Sequence, residues 1–235
     1  MAKRVLVSGG AGYIGSHVTV ELIGAGYEVV VADNMSNCDM TCFEGVKKIT
    51  GRDDIPFYQI DCCDYEAVNN LFDEQKIDAV IHFAAFKAVG ESVQDPLKYY
   101  HNNFFSLINL LNSYRAKPIN FVFSSSCTVY GEPDVLPVTE SAPVKKSTSP
   151  YGNTKQIAEE ILEETANAYG NYNIVALRYF NPVGAHATSL IGELPNGVPQ
   201  NLLPFITQTA IGKREKLTVF GNDYDTPDGS CVRDY

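Results

Sequence analysis

VLVSGGAGYIGSHVTVEL, residues 5–22, decides the fold. Lys3 to Ser8 is a short apolar run that ends at glycines, and Tyr13 to Ala25 carries apolar residues at helical spacing before stopping at Gly26. Between them Gly9, Gly12 and Gly15 stand at GxxGxxG spacing. Only glycine lets a chain turn so tightly between strand and helix while its backbone stays open to a close-lying pyrophosphate. The N–H groups at the start of the helix, and its dipole, then favour negative charge. A glycine pattern alone is often just a turn. Here it lies in the first strand-to-helix turn of the chain, and Glu28 to Ala32, a second apolar run rich in valine, ends at an acidic residue, Asp33. That context points to a dinucleotide.

The same alternation continues outward. Phe57–Ile60, Asp78–Phe83, Asn120–Ser124 and Asn173–Leu177 read as further strands, and Tyr65–Glu74, Leu97–Tyr114 and Tyr151–Tyr169 as helices between them. Strands apolar at consecutive positions, separated by helices, predict an α/β fold: a Rossmann-type doubly wound parallel sheet with helices on both faces. Helix 97–114 has an apolar surface wider than one sheet contact needs, so it is either deeply buried or part of a subunit interface. After Arg178 the character changes. Residues 181–204 and 222–230 read as loops, and a boundary near Phe180 divides a cofactor-binding domain, 1–179, from part of a smaller substrate domain, 180–235.

The chain has 235 residues, 45% hydrophobic and 20% charged, values of a globular protein with a sizeable core. Its net charge of −10 argues against nucleic acid or an anionic membrane as partner. No apolar run approaches the ~18 residues of a membrane helix. The N-terminus lacks the pattern of a signal peptide. None of the six cysteines (38, 42, 62, 63, 127 and 231) forms a CxxC. They read as thiols in a reducing cytoplasm, with no metal site expected.

Asp33 ends the second strand, where a carboxylate accepts hydrogen bonds from the adenosine ribose and repels a 2′-phosphate. Asn34, Met35 and Ser36 include no cation to receive one, so NAD is favoured over NADP. Asp61, after the third strand, serves either the adenine amino group or a helix cap.

SPYGNTK, residues 149–155, places Tyr151 and Lys155 one helical turn apart. A tyrosine has an ordinary pKa near 10, so a phenol poised near 7 needs ~4 kcal/mol of differential stabilisation. A neighbouring ammonium supplies part of that, and a bound nicotinamide cation more. Ser149 suits a cap and Pro150 a helix entry. The pair follows a strand ending in Ser124, Ser125 and Ser126, and ligands of open parallel sheets bind outside such carboxyl ends.

These residues, with VIHFAAFKAVGESV (80–93), FSSSCTVYG (123–131), LRYFNPVGAH (177–186) and FGNDYDTPDGSCVRDY (220–235), resemble the extended short-chain dehydrogenase/reductase family. Within it they are most similar to the UDP-galactose/UDP-glucose 4-epimerases. The resemblance spans the whole chain. It implies that Tyr151 is the acid/base at the sugar 4-hydroxyl, that Lys155 holds the nicotinamide ribose and lowers the tyrosine pKa, and that Ser126 bridges Tyr151 and the sugar oxygen. It further implies oxidation at C4 to a 4-keto sugar, which turns over in the site before hydride returns to its other face, with NAD retained throughout. The implied cofactor contacts are Gly9, Gly12, Tyr13, Ile14, Gly15, Asp33, Asn34, Asp61, Cys62, Phe83, Ala84, Lys87, Asn102, Asn103, Ser124 and Tyr179, beside Tyr151 and Lys155. The implied UDP-sugar contacts are Lys87, Ser126, Tyr151, Phe180, Asn181, Asn201, Leu202, Phe220 and Arg233. The wide apolar helix 97–114, with Ile157, Ala158 and Ile161 on helix 151–169, suggests a homodimer through a helix bundle in the complete protein. Phe105 stands where the family carries a small residue.

Other chemistries share this fold. Sugar-nucleotide dehydratases place Asp and Glu just before the VYG element; here Cys127 and Thr128 stand there and cannot eliminate water. An epimerase or oxidoreductase of a related UDP-sugar is an alternative. So is an NAD-binding fragment without activity, because in the family RDY leads into a further strand and helix.

Overall fold

The computed structural model describes residues 2–114 and 119–231. Six parallel strands form one sheet in the order β3-β2-β1-β4-β5-β6. They are β1 (Arg4–Ser8), β2 (Glu28–Ala32), β3 (Phe57–Tyr58), β4 (Ala79–His82), β5 (Ile119–Ser126) and β6 (Tyr172–Tyr179). The helices are α1 (Tyr13–Gly24), α2 (Met40–Thr50), α3 (Tyr65–Gln75), α4 (Val89–Gln94), α5 (Pro96–Asn112), α6 (Pro150–Tyr169) and α7 (Leu202–Ala210). The expected doubly wound fold is therefore present.

The consecutive apolar positions of the strands have a direct cause. Leu6, Val30, Val80, Phe121 and Phe123 face one core, closed by α3, α5 and α6. Val5, Val7, Val29 and Val31 face the other, with Phe43 and Val46 of α2. Each strand alternates sides, and both sides are dry.

Local chemistry sets the helix ends. Asp95 caps α5 by accepting from the Lys98 N–H at 3.3 Å, with Pro96 in the first turn. Ser149 caps α6 by accepting from the Gly152 N–H at 3.1 Å, and Gly170 ends that helix in the left-handed conformation.

Three helices lie outside the sequence expectation. α2 falls in a stretch left unassigned, although Asp39 caps it and the left-handed Gly51 stops it. α4 is a single short piece after β4. α7 begins inside the expected loop 181–204. That loop also returns to the first half: Ile191 is buried in the core with α2, and the Cys42 thiol reaches the Gly192 carbonyl at 3.6 Å. On α5, Tyr99, Leu107, Leu110 and Leu111 are buried while Leu97 and Phe105 are exposed, so neither a wholly buried helix nor a bare surface describes it.

Candidate functional site

The strand order reverses between β1 and β4, and the parallel register aligns Ser8 with Ala32 and His82, and Ser126 with Tyr179. The carboxyl ends of five strands thus form one edge. The residues just beyond them are Gly9, Asp33, Phe83, Cys127 and Phe180.

At the first turn, Gly9 has φ +76°, and its N–H donates to the Ala32 carbonyl at 2.8 Å. A Cβ on Gly9 would lie 2.7 Å from the Ala84 nitrogen, and one on Gly15 would lie 2.1 Å from the Gly9 carbonyl oxygen. Gly12 differs: a Cβ there would meet only the Gly9 oxygen, at 3.3 Å, with open space beyond. Two glycines let the turn close, and the third leaves its mouth clear. The α1 N-terminus has no side-chain cap and no acidic residue in its first turn, so its N–H groups remain available for an anion.

Asp33 is 8% exposed. Its carboxylate accepts from the Ala11 N–H at 3.1 Å and the Met35 N–H at 3.0 Å, tying the end of β2 to the glycine turn. The Cys38 thiol also points at it at 3.6 Å, and burial pushes that thiol up to about 12. Asp61 accepts from the Cys63 N–H at 2.8 Å and from the Asn34 side chain at 3.2 Å. The cap of α3 is Asp64 instead, accepting from the Ala67 N–H at 3.1 Å, so Asp61 stands exposed beside Asn34 and not as a helix cap.

Lys155 is 5% exposed, and its ammonium donates to the Ser124 carbonyl at 2.8 Å. It lies 4.7 Å from the Phe123 ring centroid and 5.9 Å from that of Tyr151. Burial pulls its pKa down to about 8, against the opposing pull of Glu159. Burial also raises the Tyr151 phenol, and the Ser126 hydroxyl, hydrogen-bonded to it, works in the opposite direction. Lys155 is not among the groups that move Tyr151. Beneath the site the Ser8 hydroxyl and His82 Nδ1 are hydrogen-bonded at 2.7 Å. Burial, then the charge of Lys155, depresses His82 to about 3, so the ring is neutral.

Two residues expected at the cofactor serve the frame. The Asn103 amide donates to the Phe86 carbonyl and the Thr154 hydroxyl and accepts from the Phe86 N–H and the Asn102 side chain, which uses its full capacity to hold the 83–86 turn against α6. The Cys62 side chain lies in the core with Val68 and Leu71. Phe83 and Ala84 form the β4 side of the glycine turn, their N–H groups both donating to the Ser8 carbonyl. Asn102 is partly buried beside Cys63, and Ile14 and Tyr179 are half-buried near the strand ends.

On the substrate side, Tyr13 donates to the Gly184 carbonyl at 2.9 Å. Glu193, absent from the sequence expectation, pairs with Lys87 at 3.5 Å and accepts from the Asn201 amide, bringing two expected contacts together. Asn201 precedes α7 but makes no cap bond, and Leu202 opens that helix on an exposed face. Phe180 and Asn181 line the open edge past β6. Phe220, 84% exposed, is not gathered with them, and Arg233 lies outside the described residues. No carboxylate of Glu193's kind could have been recognised without its fold, because nothing in IGELPNG has a motif's spacing. Among the described residues no group of His, Cys, Asp or Glu could hold a metal ion, and no helix is long and apolar enough to cross a membrane.

A 3-2-1-4-5-6 parallel sheet with a glycine-lined first turn is the architecture of dinucleotide-binding proteins. Residues 6–235 match the family model described as GDP-mannose 4,6 dehydratase. The chain is 54% identical over 234 residues to the UDP-glucose 4-epimerase of Bacillus subtilis, covering 98% of this chain and 68% of that protein. The structure of a UDP-glucose 4-epimerase from Bifidobacterium longum in complex with NAD+ and UDP superposes with a TM-score of 0.95 at 46% identity, over 99% of this chain and 70% of the other. That of Stenotrophomonas maltophila, with bound NAD and formylated UDP-arabinopyranose, gives 0.92 at 48% identity, over 99% and 69%. The chain belongs to the UDP-glucose 4-epimerase family.

Proposed function

We propose that this chain carries the NAD-dependent interconversion of UDP-galactose and UDP-glucose, by oxidation at C4 to a 4-keto sugar and re-reduction on the other face. One observation carries the reading: Tyr151, Lys155 and Ser126 converge at the carboxyl edge of the sheet, across the switch point from the glycine turn.

The turn fits NAD by its own geometry. The space beyond Gly12 suits a pyrophosphate, and the Asp33 carboxylate, already held by Ala11 and Met35, retains acceptor capacity for a ribose hydroxyl. When bound, NAD supplies the hydride acceptor and donor and a positive charge near the phenol. The chain does the rest. Ser126 orients the Tyr151 hydroxyl, and Tyr151 takes and returns the proton of the sugar 4-hydroxyl. Lys155, fixed by the Ser124 carbonyl, keeps a cation against the pair. Because burial, and after it the neighbouring Cys127, raises Tyr151 against the pull of Ser126, its activation draws on the charge that arrives with the cofactor, which confines base strength to the loaded site. The 3-10 turn at Cys127–Tyr130 places a thiol and a hydroxyl, not two carboxylates, beside Ser126, which favours epimerisation over dehydration.

Residues 1–179 would hold the cofactor, with Lys87 along it, and 180–235 part of the UDP-sugar site, with Asn181 and Asn201 toward the UDP part. We place the protein in the cytoplasm, on its thiol-bearing cysteines, and assign the complete protein a homodimer through the exposed side of α5, at Leu97 and Phe105, with α6. The decisive test is whether the purified, NAD-loaded protein converts UDP-galactose to UDP-glucose without added NAD, read by product separation. No conversion by intact loaded protein would overturn the reading.

A further inference from the structure

Tyr151, Lys155 and Glu159 follow one another at four-residue steps along α6, on one helix face. The first two have a part in the proposed reaction, and the third carries none of the roles assigned above. Its surroundings are nevertheless specific. Arg178 of β6 meets Glu159 with a two-pronged grip, Nε to Oε1 at 3.0 Å and Nη2 to Oε2 at 2.6 Å. The Ser125 hydroxyl donates to the same Oε1. Ser125 and Arg178 are register partners on neighbouring strands, so the carboxylate sits over a cross-strand pair. The guanidinium also covers the Tyr130 ring at 4.7 Å. Forked arginine–carboxylate pairs are directional and hold geometry better than point charges do.

What that grip fixes is the end of β5. Ser125 lies between Ser124, whose carbonyl receives the Lys155 ammonium, and Ser126, whose hydroxyl meets Tyr151. We propose that Glu159 is a positioning residue for the tyrosine–lysine pair: anchored by Arg178, it clamps β5 at Ser125 so that Ser124 and Ser126 present their oxygens to Lys155 and Tyr151, and it sets a negative charge one helical turn from the buried ammonium. This rests on the reaction proposed above.

The ionisable groups around the pair lie on several elements. Glu159 is on the same helix, His82 is at the end of β4, and Arg178 acts from β6 through Glu159. Cys127 in the 3-10 turn and Tyr99 on α5 face Tyr151. Of these only Glu159 is a carboxylate favouring the charged form of Lys155. Loss of its charge therefore lets Lys155 give up its proton at lower pH, the same direction in which burial already acts.

Glu159→Gln keeps the shape and removes the charge. In the NAD-loaded protein we expect kcat for UDP-galactose to fall ~10-fold with KM changed less than about twofold, the split expected of a residue that acts on the pair and not on the sugar. The alkaline limb of the kcat profile moves to lower pH. So does the pH at which an amine-acylating reagent labels Lys155, read by peptide mass without any turnover. Glu159→Asp restores part of kcat. A Glu159→Gln protein with wild-type kcat, alkaline limb and Lys155 labelling would overturn the proposal. If that variant does not fold, Ser125→Ala, which removes one hydroxyl from the clamp, takes its place: a reduced kcat at unchanged KM supports the clamp, and wild-type kcat with wild-type labelling overturns it. Should the wild-type protein show no interconversion, the reaction falls, while the labelling shift still decides the role of Glu159.

Discussion

The three glycines of the first turn should fail in different ways when given one methyl group. On Gly15 the methyl would sit 2.1 Å from the Gly9 carbonyl oxygen, 2.7 Å from the Gly10 Cα and 2.9 Å from the Gly9 carbonyl carbon. All three are backbone atoms, so relief requires moving the turn or α1. Overpacking of that kind costs about 1–3 kcal/mol and sometimes more. Alanine in a helix recovers ~1 kcal/mol of propensity, which leaves a net loss near 2 kcal/mol when the clash is at the severe end. For a chain of this length that lowers the melting temperature by roughly 4–8 °C. Gly12 is the contrast. Its φ of −75° and ψ of 179° suit alanine, and the added methyl meets only one atom, at 3.3 Å. Gly12→Ala should leave the NAD-free protein within ~1 kcal/mol of wild type. Its methyl, however, fills the space assigned to the pyrophosphate, and NAD affinity should drop at least ~10-fold, or about 1.4 kcal/mol. Denaturant unfolding of cofactor-stripped protein reads the first quantity, and calorimetric titration with NAD reads the second. Wild-type NAD affinity in Gly12→Ala, or wild-type stability in Gly15→Ala, would refute the division of labour.

Tyr151→Phe should retain NAD while kcat falls ~10²–10⁴-fold; near-normal turnover would place the base elsewhere. His82 gives a pH signature. Its pKa is lowered from 6.5 to about 3 in the fold, so the unfolded chain binds the extra proton first. Stability is thus full above pH ~6.5 and lost as pH falls toward ~3, by about 2 kcal/mol at pH ~5. His82→Asn should flatten the urea-measured slope between those pH values, and equal slopes in both proteins would count against a neutral buried imidazole. Light scattering of the purified protein should return the mass of two chains, and a monomer would remove α5 and α6 as an interface.

Elements whose burial follows from two dry faces were legible, because consecutive apolar residues in β1 and β2 leave no other placement. The glycine turn and Ser149 were readable for a similar reason: the conformation or cap demands particular residue types. α2 was missed although Asp39 and Gly51 marked its ends, since its apolar face at Cys42, Phe43 and Val46 is short and interrupted by Gly45. Glu159 and Glu193 were invisible because their charged partners, Arg178 and Lys87, come from other segments that only the fold brings beside them. Asn103 was readable as polar and near the site, but spacing could not say that its amide would be spent inside the frame. Charge makes Lys155 the expected influence on Tyr151, whereas burial is the first influence on each of the two groups in the fold.

Ile191 shares a buried cluster with Val5, Val7 and Phe43. During synthesis, therefore, β1 waits for a residue far along the chain before this core can close. Gly45 deepens the dependence, because a Cβ there would lie 2.4 Å from the Leu190 carbonyl oxygen. At ~5–20 residues per second, the nascent chain spends on the order of ten seconds or more with that apolar face open. Chaperone demand should thus track the rate at which residues 50–190 are translated, and synonymous codons in that interval become a lever on yield.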